Sequence, residues 1–128
     1  MFIGFEDKGD ALCQARTGSN KVLVDVPRTI GGKDRAMTPT ELLVVALGSC
    51  VNAMIIKYCH GKDLSSEGTR IKVHFEELEE PMRLGNFKIE IKLPDSLKEH
   101  QDGIDEFVSA CTVHKTMEFI GDITKTYA

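Results

Sequence analysis

Four cysteines, Cys13, Cys50, Cys59 and Cys111, are the side chains best suited to chemistry in this sequence. None forms a Cys-x-x-Cys pair or a paired metal spacing, so thiol nucleophile or redox chemistry is a better match than a structural zinc. Cys50 leads. It lies in a long apolar run directly after Gly48 and Ser49, small neighbours that let another chain or a substrate approach the sulfur. The competing reading is an inert buried thiol, because free cysteine is among the most buried residue types and packs as a small hydrophobe. Burial raises a thiol's pKa, and Cys50 is too far along its helix for the dipole to help. A reactive Cys50 therefore needs a cation or a hydrogen-bond donor nearby, and the expectation is a basic side chain supplied from elsewhere.

Cys111 is the second candidate. It precedes Thr112-Val-His-Lys-Thr-Met117 at the start of a helical turn, where unpaired amides favour a thiolate; a packing role is the alternative. Cys13, in a strand, and Cys59, about half a turn round the helix from Cys50, read as packing thiols. His74 falls on a polar strand face and His60 at a helix end, so solvation accounts for both. Cys111 and His114 could supply two metal ligands, but two do not make a zinc site. No histidine is placed beside Cys50 as a Cys–His hydrolase requires. Gly31-Gly32 lacks both the P-loop ending and the dinucleotide-binding glycine spacing.

These residues must be positioned by a single domain, which 128 residues with 41% hydrophobic and 28% charged content suit. The net charge of −4 with no basic block argues against a nucleic-acid partner. Acidic residues follow Met1-Phe-Ile-Gly-Phe at once, so no secretion signal is read. The apolar stretch 42–56, interrupted at Gly48, Ser49, Cys50 and Asn52, is expected to fall short of the ~20 residues that cross a bilayer. A cytoplasmic protein without membrane association or a disulfide framework is the expectation.

The first 27 residues read as short strands joined by turns, with Lys21–Val26 as a β-branched run after the turn cluster Thr17-Gly-Ser-Asn20. Residues 27–37 form a loop carrying three cationic side chains. Thr38-Pro-Thr-Glu41 opens a helix with a capping box and a proline at the first position, and His60-Gly61 stops it near Cys59. That helix is apolar nearly all round, so it must be covered on nearly all sides, and a second subunit is expected to cover what one small sheet cannot. Alternating segments around 71–76 and 87–93 read as half-buried antiparallel strands, with Pro81 and Gly85-Asn86 in their connection. Ser96 and Glu99 offer a second capping box for a helix that turns Leu97, Ile104, Phe107 and Val108 inward. A last strand is expected over roughly 118–127. The fold class is α+β, with antiparallel sheets around one long buried helix.

The run Gly31-Gly-Lys-Asp-Arg-Ala-Met-Thr-Pro-Thr-Glu-Leu-Leu-Val-Val-Ala-Leu-Gly-Ser-Cys50, with Cys111-Thr-Val-His-Lys-Thr-Met117 downstream, resembles the OsmC/Ohr family of osmotically induced and organic-hydroperoxide-resistance proteins. With the order of elements, the resemblance covers nearly the whole chain. It implies one OsmC-like domain over 1–128 in an intertwined homodimer, with the long helices central and two sites at the subunit interface. It implies that Cys50 is the peroxidatic thiol and Cys111 the resolving one. Cys50 would attack an organic hydroperoxide, and the disulfide formed with Cys111 would be reduced by an external dithiol, with no metal or organic cofactor. In the family's reductases the acidic residue after the helix proline partners an arginine that supports the thiolate. Here Thr40 follows Pro39 and the carboxylate is Glu41, about 100° further round the helix. Arg16 matches the family arginine by position, with Arg28 and Arg35 as substitutes, and Thr112 stands where a proline often follows the second cysteine. The pattern is thus closer to the OsmC-like branch than to dedicated hydroperoxide reductases. A non-catalytic dimer binding a small apolar ligand at the same interface is the alternative.

Overall fold

A computed structural model describes residues 1–128, which form two compact units, Met1–Val45 and Ala46–Ala128. The first unit opens with an antiparallel meander of β1 (Gly4–Gly9), β2 (Leu12–Thr17) and β3 (Asn20–Val24). Thr17 pairs with Asn20, so Gly18 and Ser19 alone make the second turn. Gly18 has φ 55 there, a conformation that costs glycine little.

The loop after β3 is fastened by one buried carboxylate. Asp25 is fully buried, and its side chain accepts the N–H groups of Val26 (2.8 Å), Lys33 (3.1 Å) and Arg35 (3.1 Å). The Arg35 guanidinium adds Nε to Asp25 at 3.1 Å and also reaches Asp10 on the β1–β2 turn. Gly32 packs so tightly on this loop that a Cβ there would overlap the Val26 carbonyl.

Helix α1 (Pro39–Cys59) begins as its sequence dictates. Glu41 Oε1 accepts from the Thr38 N–H (3.2 Å) and hydroxyl (2.8 Å), and the Glu41 N–H donates to Thr38 Oγ1 (3.4 Å), which closes the capping box. Gly61, at φ 78, ends it. At 21 residues α1 is long and apolar enough to cross a membrane, so the interruptions at 48–52 do not shorten the span as expected. Small residues dilute hydropathy without breaking a helix. The buried stripe Leu47, Val51, Ile55 and Cys59, one residue per turn, marks α1 as a core helix.

The second unit adds a hairpin of β4 (Arg70–Leu78) and β5 (Arg83–Lys92), then α2 (Gln101–Val108) and α3 (Thr112–Glu118). Ile55 and Cys59 pack with Leu93, Leu97 and Ile104, flanked by Tyr58, Ile71 and Val108. Three expectations change here. Gly85 and Asn86 lie inside β5 rather than in the connection, where the register shifts between His74 and Glu76 and Asn86 takes φ 52; the pair makes an irregularity in the strand. No capping box forms at Ser96, because Asp95–His100 is a 3-10 segment entered from Pro94 without a side-chain cap. Residues 119–128 form no strand and leave Phe119, Ile120, Ile123 and Tyr127 exposed: alternation favours a strand only where another strand offers its edge.

Candidate thiol site

Two of the four cysteines meet. Cys50, on the fourth turn of α1, is half-buried, and Cys111, the residue that caps α3, is fully buried. Both belong to the second unit and their side chains are hydrogen-bonded to each other. The Cys50 sulfur also accepts the main-chain N–H groups of Val113 and Thr112. These are amides that a helix cannot satisfy internally at its first turn. Burial works to raise the Cys50 pKa, but the Val113 N–H, the Cys111 thiol and the Thr112 N–H together outweigh it, and the thiol titrates below its ordinary value. Cys111 moves the other way. Burial pushes it up, and its hydrogen bond to Cys50, with the negative charge there, pushes it further. The pair is thus differentiated into a thiolate-prone sulfur and a neutral thiol that donates to it.

The unpaired amides anticipated at the Cys111 turn are present, but they serve Cys50. What residue types could not show was that α3 begins against the middle of α1. The required donor is main chain rather than a basic side chain, so no cationic residue type marks it. Gly48 has a structural account of its own: a Cβ there would stand 3.3 Å from Val73 Cγ2, so it lets α1 close on β4. The His114 Nε2 contacts the Glu118 carboxylate, one turn along α3. Cys59 lies in the core, and Cys13 is half-buried on β2 opposite Val24.

The remaining candidates sit in the first unit. Arg16 is exposed on β2, between Gly4 and Lys21, and borders a shallow surface depression with Phe2, Phe5 and Gln14. Glu41 occupies the capping box. Arg28 is paired with Asp34 (2.7 Å), and Arg35 with Asp25 and Asp10.

Comparison with known proteins follows the same lines. The OsmC-like protein family model matches residues 31–124. A candidate osmotic stress induced and detoxification response protein from Psychrobacter arcticus 273-4 superimposes with a TM-score of 0.78 at 25% identity, over 89% of this chain and 85% of that one. An OsmC-like protein from Mycoplasma pneumoniae gives 0.68 at 20% identity, covering 93% and 87%. An organic hydroperoxide resistance protein from Elizabethkingia anophelis gives 0.53 at 20%, covering 91% and 88%. No curated protein matches in sequence. With the α+β fold, the helical Cys50 and the downstream Cys111 in place, the chain belongs to the OsmC-like family.

Proposed function

We propose that the protein is a thiol-dependent peroxidase that reduces organic hydroperoxides in oxidative-stress defence. The observation that carries this reading is the Cys50 sulfur, hydrogen-bonded to Cys111 and to two main-chain amides. The Cys50 thiolate attacks the outer oxygen of R–O–OH. The O–O bond breaks, sulfur is oxidised to the sulfenic acid, and the alkoxide takes a proton and leaves as the alcohol. The Cys111 thiol then condenses with the sulfenic acid, forming the disulfide and releasing water. An external dithiol reduces that disulfide by exchange and is itself oxidised. The two cysteines carry out the peroxide-reducing half of this cycle, and the external dithiol the other.

The hydroperoxide-resistance description of the Elizabethkingia relative supports the substrate class. An apolar helix beside the sulfur supports it too, since apolar walls favour an alkyl hydroperoxide over hydrogen peroxide. In this reading residues 1–128 are one OsmC-like domain in a cytoplasmic homodimer. Arg28 and Arg35 are engaged by aspartates, and Glu41 fixes the start of the helix that carries Cys50.

The test is thiol oxidation by substoichiometric cumene hydroperoxide beside hydrogen peroxide, followed by mass spectrometry of the cysteine peptides. The expected outcome is a Cys50–Cys111 disulfide, faster with cumene hydroperoxide, and loss of turnover in Cys50→Ser. Both thiols remaining free would overturn the reading in favour of a ligand-binding dimer with inert cysteines.

A further inference from the structure

The second unit carries an open cleft that neither Cys50 nor Cys111 lines. Its volume is about 380 Å³, and it lies between the end of β5 and α2. Leu93 and Ile104, both buried in the core, form its floor together with Ile91 and Val108. The charged groups that line it are not equivalent. Lys98 is held by Asp95, Nζ to Oδ1 at 2.7 Å. Lys92 has no carboxylate partner, and it stands opposite Arg70 across the β4–β5 pair, a like-charge pairing that raises the positive potential there. Asp105 accepts the Ser109 hydroxyl at 2.8 Å through its main-chain carbonyl, while its carboxylate accepts from no group in the chain. The cleft thus presents one unanswered cation and one unanswered carboxylate over a single apolar floor.

We propose that this cleft binds a free α-amino acid with an apolar side chain. The ligand carboxylate sits at Lys92, its ammonium at Asp105, and its side chain on Ile104 and Val108. The proposal goes beyond the peroxidase reading and does not depend on it.

Charge decides the ligand class. A fatty acid or another monoanion would answer Lys92 but meet the Asp105 carboxylate. A simple amine would answer Asp105 but meet Lys92 and Arg70, and like charges brought together are costly. An uncharged apolar compound would cover the floor while stripping water from both charges and replacing it with nothing. A zwitterion answers both. Size agrees, because 380 Å³ is near the small end of the range of about 300–1,000 Å³ spanned by small-molecule sites. Lys92 and Asp105 are exposed, so each contact contributes modestly and a high micromolar to millimolar affinity is expected.

The experiment is an NMR titration of the isotope-labelled full chain with L-leucine. Two analogues run beside it: leucinamide, which lacks the carboxylate, and N-acetyl-L-leucine, which lacks the ammonium. Leucine is expected to shift the amide resonances of residues 91–93 and 104–108 in a saturable way, and each analogue to bind about tenfold more weakly. Lys92→Gln should erase the preference for leucine over leucinamide, and Asp105→Asn the preference over N-acetyl-L-leucine. No saturable shift at about 20 mM leucine, or equal affinity for the three compounds, would overturn the proposal. Variants that keep the wild-type preferences would overturn it as well. The analogue comparison needs only the wild-type protein, so a variant that fails to fold does not block the test. Neither cysteine of the thiol pair lines the cleft, and a negative result leaves the peroxidase reading as it stands.

Discussion

Asp25 shows how a single side chain can hold a loop. The Arg35 guanidinium, foremost, keeps its carboxyl well below the usual carboxylate range; burial opposes this, and the N–H groups of Arg35, Val26 and Lys33 add to the lowering. A carboxyl with a depressed folded pKa contributes stability that is fully present above the unfolded value, about 3.9, and is lost as pH falls toward the depressed one. Asp25→Asn is therefore expected to lower the thermal midpoint at pH 7 and to weaken the loss of stability below about pH 4. Thermal melts of both proteins from pH 7 to 2.5 check this, and equal midpoints at pH 7 would refute it. Asp25 was not singled out from the sequence. An aspartate at a strand end is ordinary, and only its burial among three amides and a guanidinium sets it apart. Cys50 and Cys111 could be picked out by residue type and neighbours, but the donors to Cys50 belong to the peptide backbone, which every residue type carries.

At the scale of elements, local chemistry was the most readable. Thr38, Pro39 and Glu41 specify the start of α1, and His60-Gly61 its end, because caps are settled within a few residues. The alternation of Ile71, Val73 and Phe75 with polar neighbours likewise specified β4. Ser96 failed as a cap because Pro94 sets the entry to a 3-10 segment, and 119–128 failed as a strand because pairing is not local. Gly48 joins two elements. Alanine there would gain about 1 kcal/mol of helix propensity, against a tight 3.3 Å contact with Val73, whose branched side chain yields little. Gly48→Ala is expected to stay within about 0.5 kcal/mol of wild type by urea unfolding, since the two effects oppose each other. Gly48→Leu should cost about 1–3 kcal/mol, and a neutral leucine would show that the helix does not close on the strand there.

At the scale of the whole molecule, a single chain leaves one face of α1 exposed. Opposite its buried stripe lie Val45, Ala46, Ser49, Ala53 and Ile56, all exposed in the single chain and either apolar or small. Small residues spaced about one turn apart allow two helices close approach, and exposed apolar faces of this kind mark interfaces. The proposed homodimer would place this face against its copy. Ala53→Glu is then expected to convert a dimer at low micromolar concentration into a monomer in sedimentation velocity, and a wild-type monomer would refute the arrangement. The need for a cover could be read from composition, because a helix apolar all round has no solvent face. Which turn of α3 would meet Cys50 could not, because that depends on the path of some sixty residues between them.

The use of peptide amides to hold the Asp25 carboxylate has a genetic corollary. Saturation mutagenesis at codon 33, scored by the abundance of folded protein, should return a shallow profile with one sharp dip at the imino acid. The device tolerates drift in side-chain identity and is exposed to a single kind of lesion.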